Sequence, residues 1–197
     1  MRPDQLELLT EVANVGIGRA ASLLNSLLET HIELVLPHSR MLASGMAHLE
    51  LERFGGDILS CVELGFSGDL EGTVTLVFPP TSANKLVSIL LRDDDPLHEE
   101  FDELRASTLN EVGNIVLNSV MGSMANMLGK QFTYSVPVFR HESVSRLCDA
   151  ARGNLVMVET LFRAGAHQIE GEILMFFGLD CLERLSDYLT RLEEQYV

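Results

Sequence analysis

Apolar residues recur with the helical period in two long stretches of the chain, one near the N-terminus and one from about residue 102. At about 100° per residue, each stretch has one apolar face and an opposite polar face. The first apolar face comprises Leu6, Leu9, Ala13, Ile17, Ala20, Leu24 and Leu27. The second comprises Ala106, Leu109, Val116, Val120, Met124 and Met127. The pattern predicts two long amphipathic helices, the first to about Glu29 and the second over 102–128.

The ends of these helices carry recognisable signals. Asp4 and Glu7 have the spacing of a capping box, with Asp4 as the N-cap and Glu7 at the third helical position. This capping role would give Glu7 a structural purpose independent of any site. Gly129 follows the second helix and is a typical residue just beyond a helix C-terminus.

Shorter segments between and after the long helices predict strands and closing helices. We expect strands over 31–36, 57–66, 70–78, 133–139, 155–163 and 169–177. We expect shorter helices from the Pro79-Pro80 pair to Leu91, over 142–150 and over 181–195. Residues 38–54 are ambiguous between a short helix and a loop. The charged segment 92–96 is expected to link two halves.

The two halves repeat each other. Glu11 and Asn14 recur a hundred positions later as Glu111 and Asn114. In each copy 22 residues separate the Asn from a proline, which is Pro37 or Pro137. The order helix, strand, strand, strand, helix therefore occurs twice. It predicts an α+β fold with one mixed sheet and a pseudo-twofold axis, as a single domain of two repeats over about 1–92 and 97–197.

The polar faces of the long helices hold the candidate chemistry. Glu7, Glu11 and Asn14 share one stripe of the first helix; the second carries Ser107, Glu111, Asn114 and Asn118. An exposed Glu and Asn are ordinary on one solvated helix, and duplication alone can preserve a pattern that has no use. Asn is, however, a mediocre helix former, so helix propensity does not account for it twice.

The repeated pattern resembles the signature of the CheC/CheX/FliY family, phosphatases of the chemotaxis response regulator CheY. The signature is Asp or Ser, then Glu after three residues, Asn after two more, and Pro after a further 22. The second copy, formed by Ser107, Glu111, Asn114 and Pro137, matches it at every position. The resemblance spans nearly the whole chain.

The first copy departs from the signature at one position. Glu11, Asn14 and Pro37 match, but Glu7 stands where the family has Asp or Ser. Two copies with nothing appended resemble the CheC type, since the CheX type normally has one copy and FliY adds a flagellar-switch domain. The resemblance implies a CheC-like arrangement in which the two motif helices lie side by side on one face of the sheet.

The resemblance also implies roles for the paired residues. Asn14 and Asn114 would position the attacking water, and Glu11 and Glu111 would form ion pairs with the active-site lysine of a CheY-like response regulator. The regulator would supply Mg²⁺, so the chain would have no metal or cofactor of its own. CheC-type proteins also bind the CheD deamidase, which is a further candidate partner. The alternative is a non-catalytic adaptor, because flagellar-switch relatives share the fold without the Glu and Asn pairs.

Composition limits the kinds of partner, metal site and cellular location that the chain can have. The net charge of −15 argues against nucleic acid or an anionic membrane as a partner. The histidines lack metal-ligand spacing. Cys61, Cys148 and Cys181 are widely spaced, which is typical of reduced thiols in a cytoplasmic protein. Neither a signal peptide nor an apolar run long enough to span a membrane is evident, so we expect a cytoplasmic protein without membrane insertion.

Overall fold

The structure is a computed structural model that describes residues 2–28, 32–35, 39–53, 56–91, 101–150, 154–164, 167–177 and 181–196. Its helices are α1 (Pro3–Leu28), α2 (Ser44–Glu52), α3 (Pro80–Leu91), α4 (Phe101–Leu128), α5 (Val144–Ala150) and α6 (Cys181–Tyr196). Its strands are β1 (Ile32–Val35), β2 (Ser39–Ala43), β3 (Ile58–Gly68), β4 (Gly72–Phe78), β5 (Phe132–Tyr134), β6 (Val138–Ser143), β7 (Asn154–Ala164) and β8 (His167–Phe177). Pro37 and the predicted link over 92–96 lie outside the described residues.

The strands form one sheet in the order β1-β7-β8-β4-β3-β5, with β2 also on β7 and β6 also on β3. Every strand pair in the described part of the chain is antiparallel. The predicted α+β class is confirmed, but the sheet is antiparallel where we expected a mixed one. The reason is geometric: a twofold axis normal to a sheet reverses strand direction, so the two central strands that it relates must run antiparallel.

The centre of the sheet carries the internal twofold. Thr75 of β4 pairs with Leu174 of β8, and these two residues are equivalent in the repeat, which has an offset of 99 in these strands. The order of the sheet is also the same from both ends, because β1 and β2 lie on β7 as β5 and β6 lie on β3.

The two motif helices, α1 and α4, pack side by side on one face of the sheet, as the resemblance implied. The two helices approach each other closely at Gly16, where a built Cβ atom would lie 2.5 Å from the Cα atom of Val120. The core beneath them includes residues from both halves, among them Leu9, Val62 and Leu189. A smaller cluster on the opposite face lies under α2 and α5.

Each half contains more elements than the sequence predicted. The ambiguous segment 38–54 holds strand β2 and helix α2. The predicted strand over 133–139 is two strands, β5 and β6, separated at Pro137. The observed order is helix, two short strands, short helix, two long strands, helix. The short strands lack a long alternating pattern, so sequence periodicity did not separate them.

The ends of the long helices give one correction and one confirmation. Asp4 lies inside α1 and is not its N-cap. The Gln5 side chain accepts a hydrogen bond from the Arg2 N–H at 2.8 Å, so Gln5 has the role predicted for Glu7. At the end of α4, Gly129 has a φ of 62° and Lys130 N–H donates to a carbonyl of the last turn, as in a Schellman motif.

Candidate functional site

A groove beside the N-terminal half of α4 brings the four residues of the second motif together. Ser107, Glu111 and Asn114 line it from the helix, and Pro137 lines it from the connection between β5 and β6. The groove holds about 500 Å³. Ser107 and Glu111 are exposed and Asn114 is half-buried. A hydroxyl, a carboxylate and a carboxamide are therefore accessible to one bound partner group.

Gly113 fixes the position of this stretch of α4 on the sheet. A Cβ atom built there would lie 2.4 Å from the Cγ1 atom of Val62 on β3, so glycine permits the close approach of helix and strand. The neighbouring Val112 and Val116 are buried. The side of α4 that carries Glu111 therefore remains turned away from the sheet.

A bulge in the sheet brings Pro137 to the groove. Tyr134 pairs with Phe66 and Val138 pairs with Glu63, so three residues on one side of the ladder face two on the other. Pro137 lies in the unpaired stretch. Its missing N–H therefore costs no ladder hydrogen bond.

Ser135 closes this bulge against Gly65 of β3. The Ser135 N–H donates to the Gly65 carbonyl, and the Gly65 N–H donates to the Ser135 hydroxyl oxygen, each at 2.9 Å. The next residue, Val136, is 82% exposed at the rim of the groove. The bulge therefore presents an apolar side chain next to the polar residues of the motif.

The carboxamide of Asn114 has a partner on its own helix. The Asn118 side-chain nitrogen donates to Asn114 Oδ1 at 2.6 Å and to the Asn114 backbone carbonyl at 2.9 Å. Asn118 is itself half-buried. The orientation of the Asn114 side chain is thus held from one turn further along α4.

The first motif lies on the outward face of α1. Glu7, Glu11 and Asn14 are all exposed, and Gly18 follows on the same stripe. Apart from the nearby backbone of α1 itself, a Cβ atom built on Gly18 would meet nothing within 4 Å in the described part of the chain. Pro37, the last residue of the first motif, lies outside the described residues.

The carboxylates of both motifs are available to a partner. Within the described part of the chain, Glu11 and Glu111 form neither a hydrogen bond nor an ion pair through their side chains. Both side chains are exposed. An exposed carboxylate without an internal cation can accept a charged hydrogen bond from a lysine or arginine of another protein.

Ala106 also lines the groove, although the sequence analysis placed it on the apolar face, and three further groove residues were missed. Glu103 and Asn110 lie one helical turn before Ser107 and Asn114, so helical spacing could have found them. The position of Val136 in the groove depends on the bulge, and neither periodicity nor composition indicated it.

A second groove of about 440 Å³ also includes Ser107 and Glu111, and apolar side chains of α1, α3 and α4 line the rest of it.

The three cysteines are free thiols, and two of them lie in the core. Cys61 and Cys181 are buried and Cys148 is half-buried, and all three are free. Burial raises the pKa of the Cys61 thiol from 9.0 to about 12, and the nearby Glu142 and Glu63 carboxylates add to this effect. A thiol with so high a pKa remains protonated at neutral pH and is a poor nucleophile.

The described residues contain no group of three or more His, Cys, Asp or Glu side chains that could hold a metal ion. The expectation that the chain has no metal of its own stays a prediction. Among the described residues, the helices also lack one that is long and apolar enough to cross a membrane.

Comparison with known proteins relates the chain to chemotaxis proteins. Residues 60–160 match the family described as chemotaxis phosphatase CheX. The chain is also 29% identical to the CheY-P phosphatase CheC of Bacillus subtilis strain 168, over 94% of this chain and 93% of that protein. The matched family segment contains Ser107, Glu111, Asn114 and Pro137, and it begins after the first motif.

Two solved structures have the same fold. FliY of Thermotoga maritima superposes with a TM-score of 0.76 at 19% identity and covers 98% of both chains. CheX from the CheX-CheY-BeF3-Mg²⁺ complex of Borrelia burgdorferi superposes with a TM-score of 0.54 at 21% identity, over 83% of this chain and 96% of that one. With half of its length matched by the family and its motif groove inside the matched segment, this chain belongs to the CheX family of chemotaxis phosphatases.

Proposed function

We propose that the protein hydrolyses the phospho-aspartate of a CheY-type response regulator. The observation that carries the proposal is the groove in which Ser107, Glu111, Asn114 and Pro137 meet. The similarity to CheC of Bacillus subtilis, a CheY-P phosphatase, and the fold shared with a CheX bound to CheY support the choice of substrate. A protein acting on this substrate would work in the cytoplasm, as the sequence led us to expect.

The proposed reaction is an in-line displacement at phosphorus. The oxygen of a water molecule bonds to phosphorus while the bond from phosphorus to the aspartate carboxylate oxygen breaks. The aspartate leaves as a carboxylate, and inorganic phosphate carries away the proton that the water loses. Little covalent chemistry is required of the protein, so positioning of the water supplies most of its contribution.

The carboxamides of Asn14 and Asn114 are suited to hold that water. A carboxamide both donates and accepts hydrogen bonds, and its neutrality avoids repulsion of the phosphoryl oxygens. The carboxylates of Glu11 and Glu111 would pair with the lysine of the regulator's active site. This ion pair would place the regulator over the asparagine of the same motif.

Mg²⁺ would be held by the regulator. The groove offers carboxylates from Glu111 and Glu103, together with amide and hydroxyl groups, and the described residues form no metal cluster. Mg²⁺ is usually bound by carboxylates together with substrate phosphate oxygens, which the regulator can provide. This chain would therefore act on a metal-loaded substrate and contribute no ligand of its own.

The alternative is a non-catalytic adaptor that binds a response regulator or the CheD deamidase. The fold is compatible with either function, because flagellar-switch relatives share it without the Glu and Asn pairs. Catalytic turnover separates the two functions, because an adaptor protects or sequesters one regulator per chain whereas an enzyme processes many.

The test is release of inorganic phosphate from a phosphorylated CheY-type regulator with Mg²⁺, present in large molar excess over the chain. We expect release to continue well beyond one phosphate per chain, at a rate above the regulator's own hydrolysis. A rate that matches the regulator alone would overturn the enzymatic proposal. Binding of purified CheD, measured by titration calorimetry, tests the second partner separately.

A further inference from the structure

We propose that Asn118 is a positioning residue of the second site, which sets the orientation of the Asn114 carboxamide and so decides which of its atoms faces the substrate. The inference rests on the proposed phosphatase function. It adds a residue outside the recognised motif, and it predicts a difference between the two sites.

The backbone fixes the orientation of both amides. The terminal Asn118 atom lies 2.9 Å from the Asn114 backbone carbonyl oxygen, which can only accept a hydrogen bond. That terminal atom must therefore be the nitrogen. The Asn114 atom 2.6 Å from the same nitrogen must be an acceptor, which is Oδ1.

This arrangement removes an ambiguity that an isolated asparagine has. The terminal torsion of Asn is broad and roughly two-fold, so an unsupported carboxamide exchanges its nitrogen and oxygen readily. The Asn118 donor holds Oδ1 of Asn114 on the side of the next helical turn. Asn114 Nδ2 then remains free to donate, and Oδ1 keeps a second lone pair for a water proton. A carboxamide that is already oriented requires less reorganisation in the transition state.

The first site provides a natural comparison. Gly18 has the same spacing from Asn14 as Asn118 has from Asn114, and glycine has no side chain to donate the bond. Space is not the obstacle, because a Cβ atom built on Gly18 meets nothing within 4 Å. Asn14 is also exposed whereas Asn114 is half-buried.

The first experiment isolates the second site with Asn14→Ala and adds Asn118→Leu, which keeps a comparable size and the helix but removes the donor. We expect kcat toward a Mg²⁺-loaded phosphorylated CheY-type regulator to fall about two- to tenfold, the range corresponding to one neutral hydrogen bond. We expect KM to change little, because Asn118 acts on orientation and not on docking. An unchanged kcat would overturn the inference.

A matched background shows whether the effect passes through Asn114. In Asn114→Ala chains only the first site remains active, so Asn118→Leu should leave kcat where it was. A loss as large as the loss in the Asn14→Ala background would mean that Asn118 acts through general stability of α4, and the inference would be wrong.

The converse experiment transplants the donor into the first site. In the Asn114→Ala background, Gly18→Asn should raise kcat about two- to tenfold above Gly18→Ala, which controls for the removal of a helical glycine. Equal rates for the two variants would count against the inference. If the Asn14→Ala chain fails to accelerate hydrolysis at all, the proposed function falls with the inference. Acceleration that is insensitive to Asn118 defeats the inference alone.

Discussion

At the scale of single residues, the proposed chemistry depends on how a neutral carboxamide is held beside a carboxylate. The repeat in the sequence was enough to single out Glu111 and Asn114, because two helices carry the same pair at the same spacing. The hydrogen bond from Asn118 could not be predicted in the same way. It depends on side-chain rotamers, and the spacing of four residues permits such a contact without requiring it.

The buried thiol of Cys61 gives a pH-dependent test of the core. Its pKa is raised from 9.0 to about 12 by burial, so the folded state favours the protonated thiol. The associated stabilisation is fully present below pH 9 and is lost as the pH rises through about 12. Between these values we expect the free energy of unfolding to fall more steeply for the wild type than for Cys61→Val, as measured by urea denaturation. Parallel pH profiles would show that the thiol is not desolvated.

At the scale of elements, the site depends on how closely α4 lies on β3 and where the β5–β6 connection emerges. The long helices and long strands followed from their periodicity and were predicted closely. The split at Pro137 was not predicted, because a bulge is set by the pairing register of two strands that are distant in sequence. Val136 was missed for the same reason.

Two glycines of α4 form a matched pair for testing this contact. A Cβ atom on Gly113 would lie 2.4 Å from Val62, whereas one on Gly122 meets nothing within 4 Å. Gly113→Ala should lower the free energy of unfolding by about 1–3 kcal/mol through overpacking. Gly122→Ala should raise it by up to about 1 kcal/mol, because alanine is the better helix former.

Chemical denaturation of both glycine variants gives the comparison. If Gly113→Ala is as stable as the wild type, then α4 can move away from β3 at little cost and Gly113 does not fix the position of the groove. Measuring phosphate release on the same samples shows whether a displaced α4 also loses activity, as the site geometry predicts.

At the scale of the whole molecule, a pseudo-twofold axis relates two halves whose proposed sites differ in sequence. The second site matches the family signature fully and lies in the matched segment 60–160. The first has the exposed carboxylate of Glu7 one turn before Glu11, and Gln5 has taken the capping role that could have explained Glu7. Sequence reasoning detected the duplication but assigned that cap to the wrong residue, since the helix begins at Pro3.

The inequality of the sites predicts the outcome of single substitutions. Carboxylates at positions i and i+4 repel each other by a few tenths of a kcal/mol on an exposed helix, and Glu7 would add negative charge where the proposed phosphorylated partner would dock. Asn114→Ala should therefore cost more activity than Asn14→Ala. Glu7→Ser should raise the activity that remains in the Asn114→Ala chain, while the exposed Asp187→Ser on α6 should not.

Rates of phosphate release with one regulator at fixed Mg²⁺ decide the comparison. Equal losses of activity for the two asparagine variants, or a larger loss for Asn14→Ala, would show that Glu7 does not lower the activity of the first site.

The most direct test of the central claim is kcat of the Asn14→Ala, Asn114→Ala double variant toward a phosphorylated CheY-type regulator. Because both asparagines lie outside the core, we expect normal helical circular dichroism and unchanged affinity for the beryllofluoride-loaded regulator. We expect hydrolysis to return to the regulator's own rate, while the exposed Asn126→Ala on α4 keeps full activity. A double variant that binds and hydrolyses at the wild-type rate would contradict the assignment of these asparagines to catalysis.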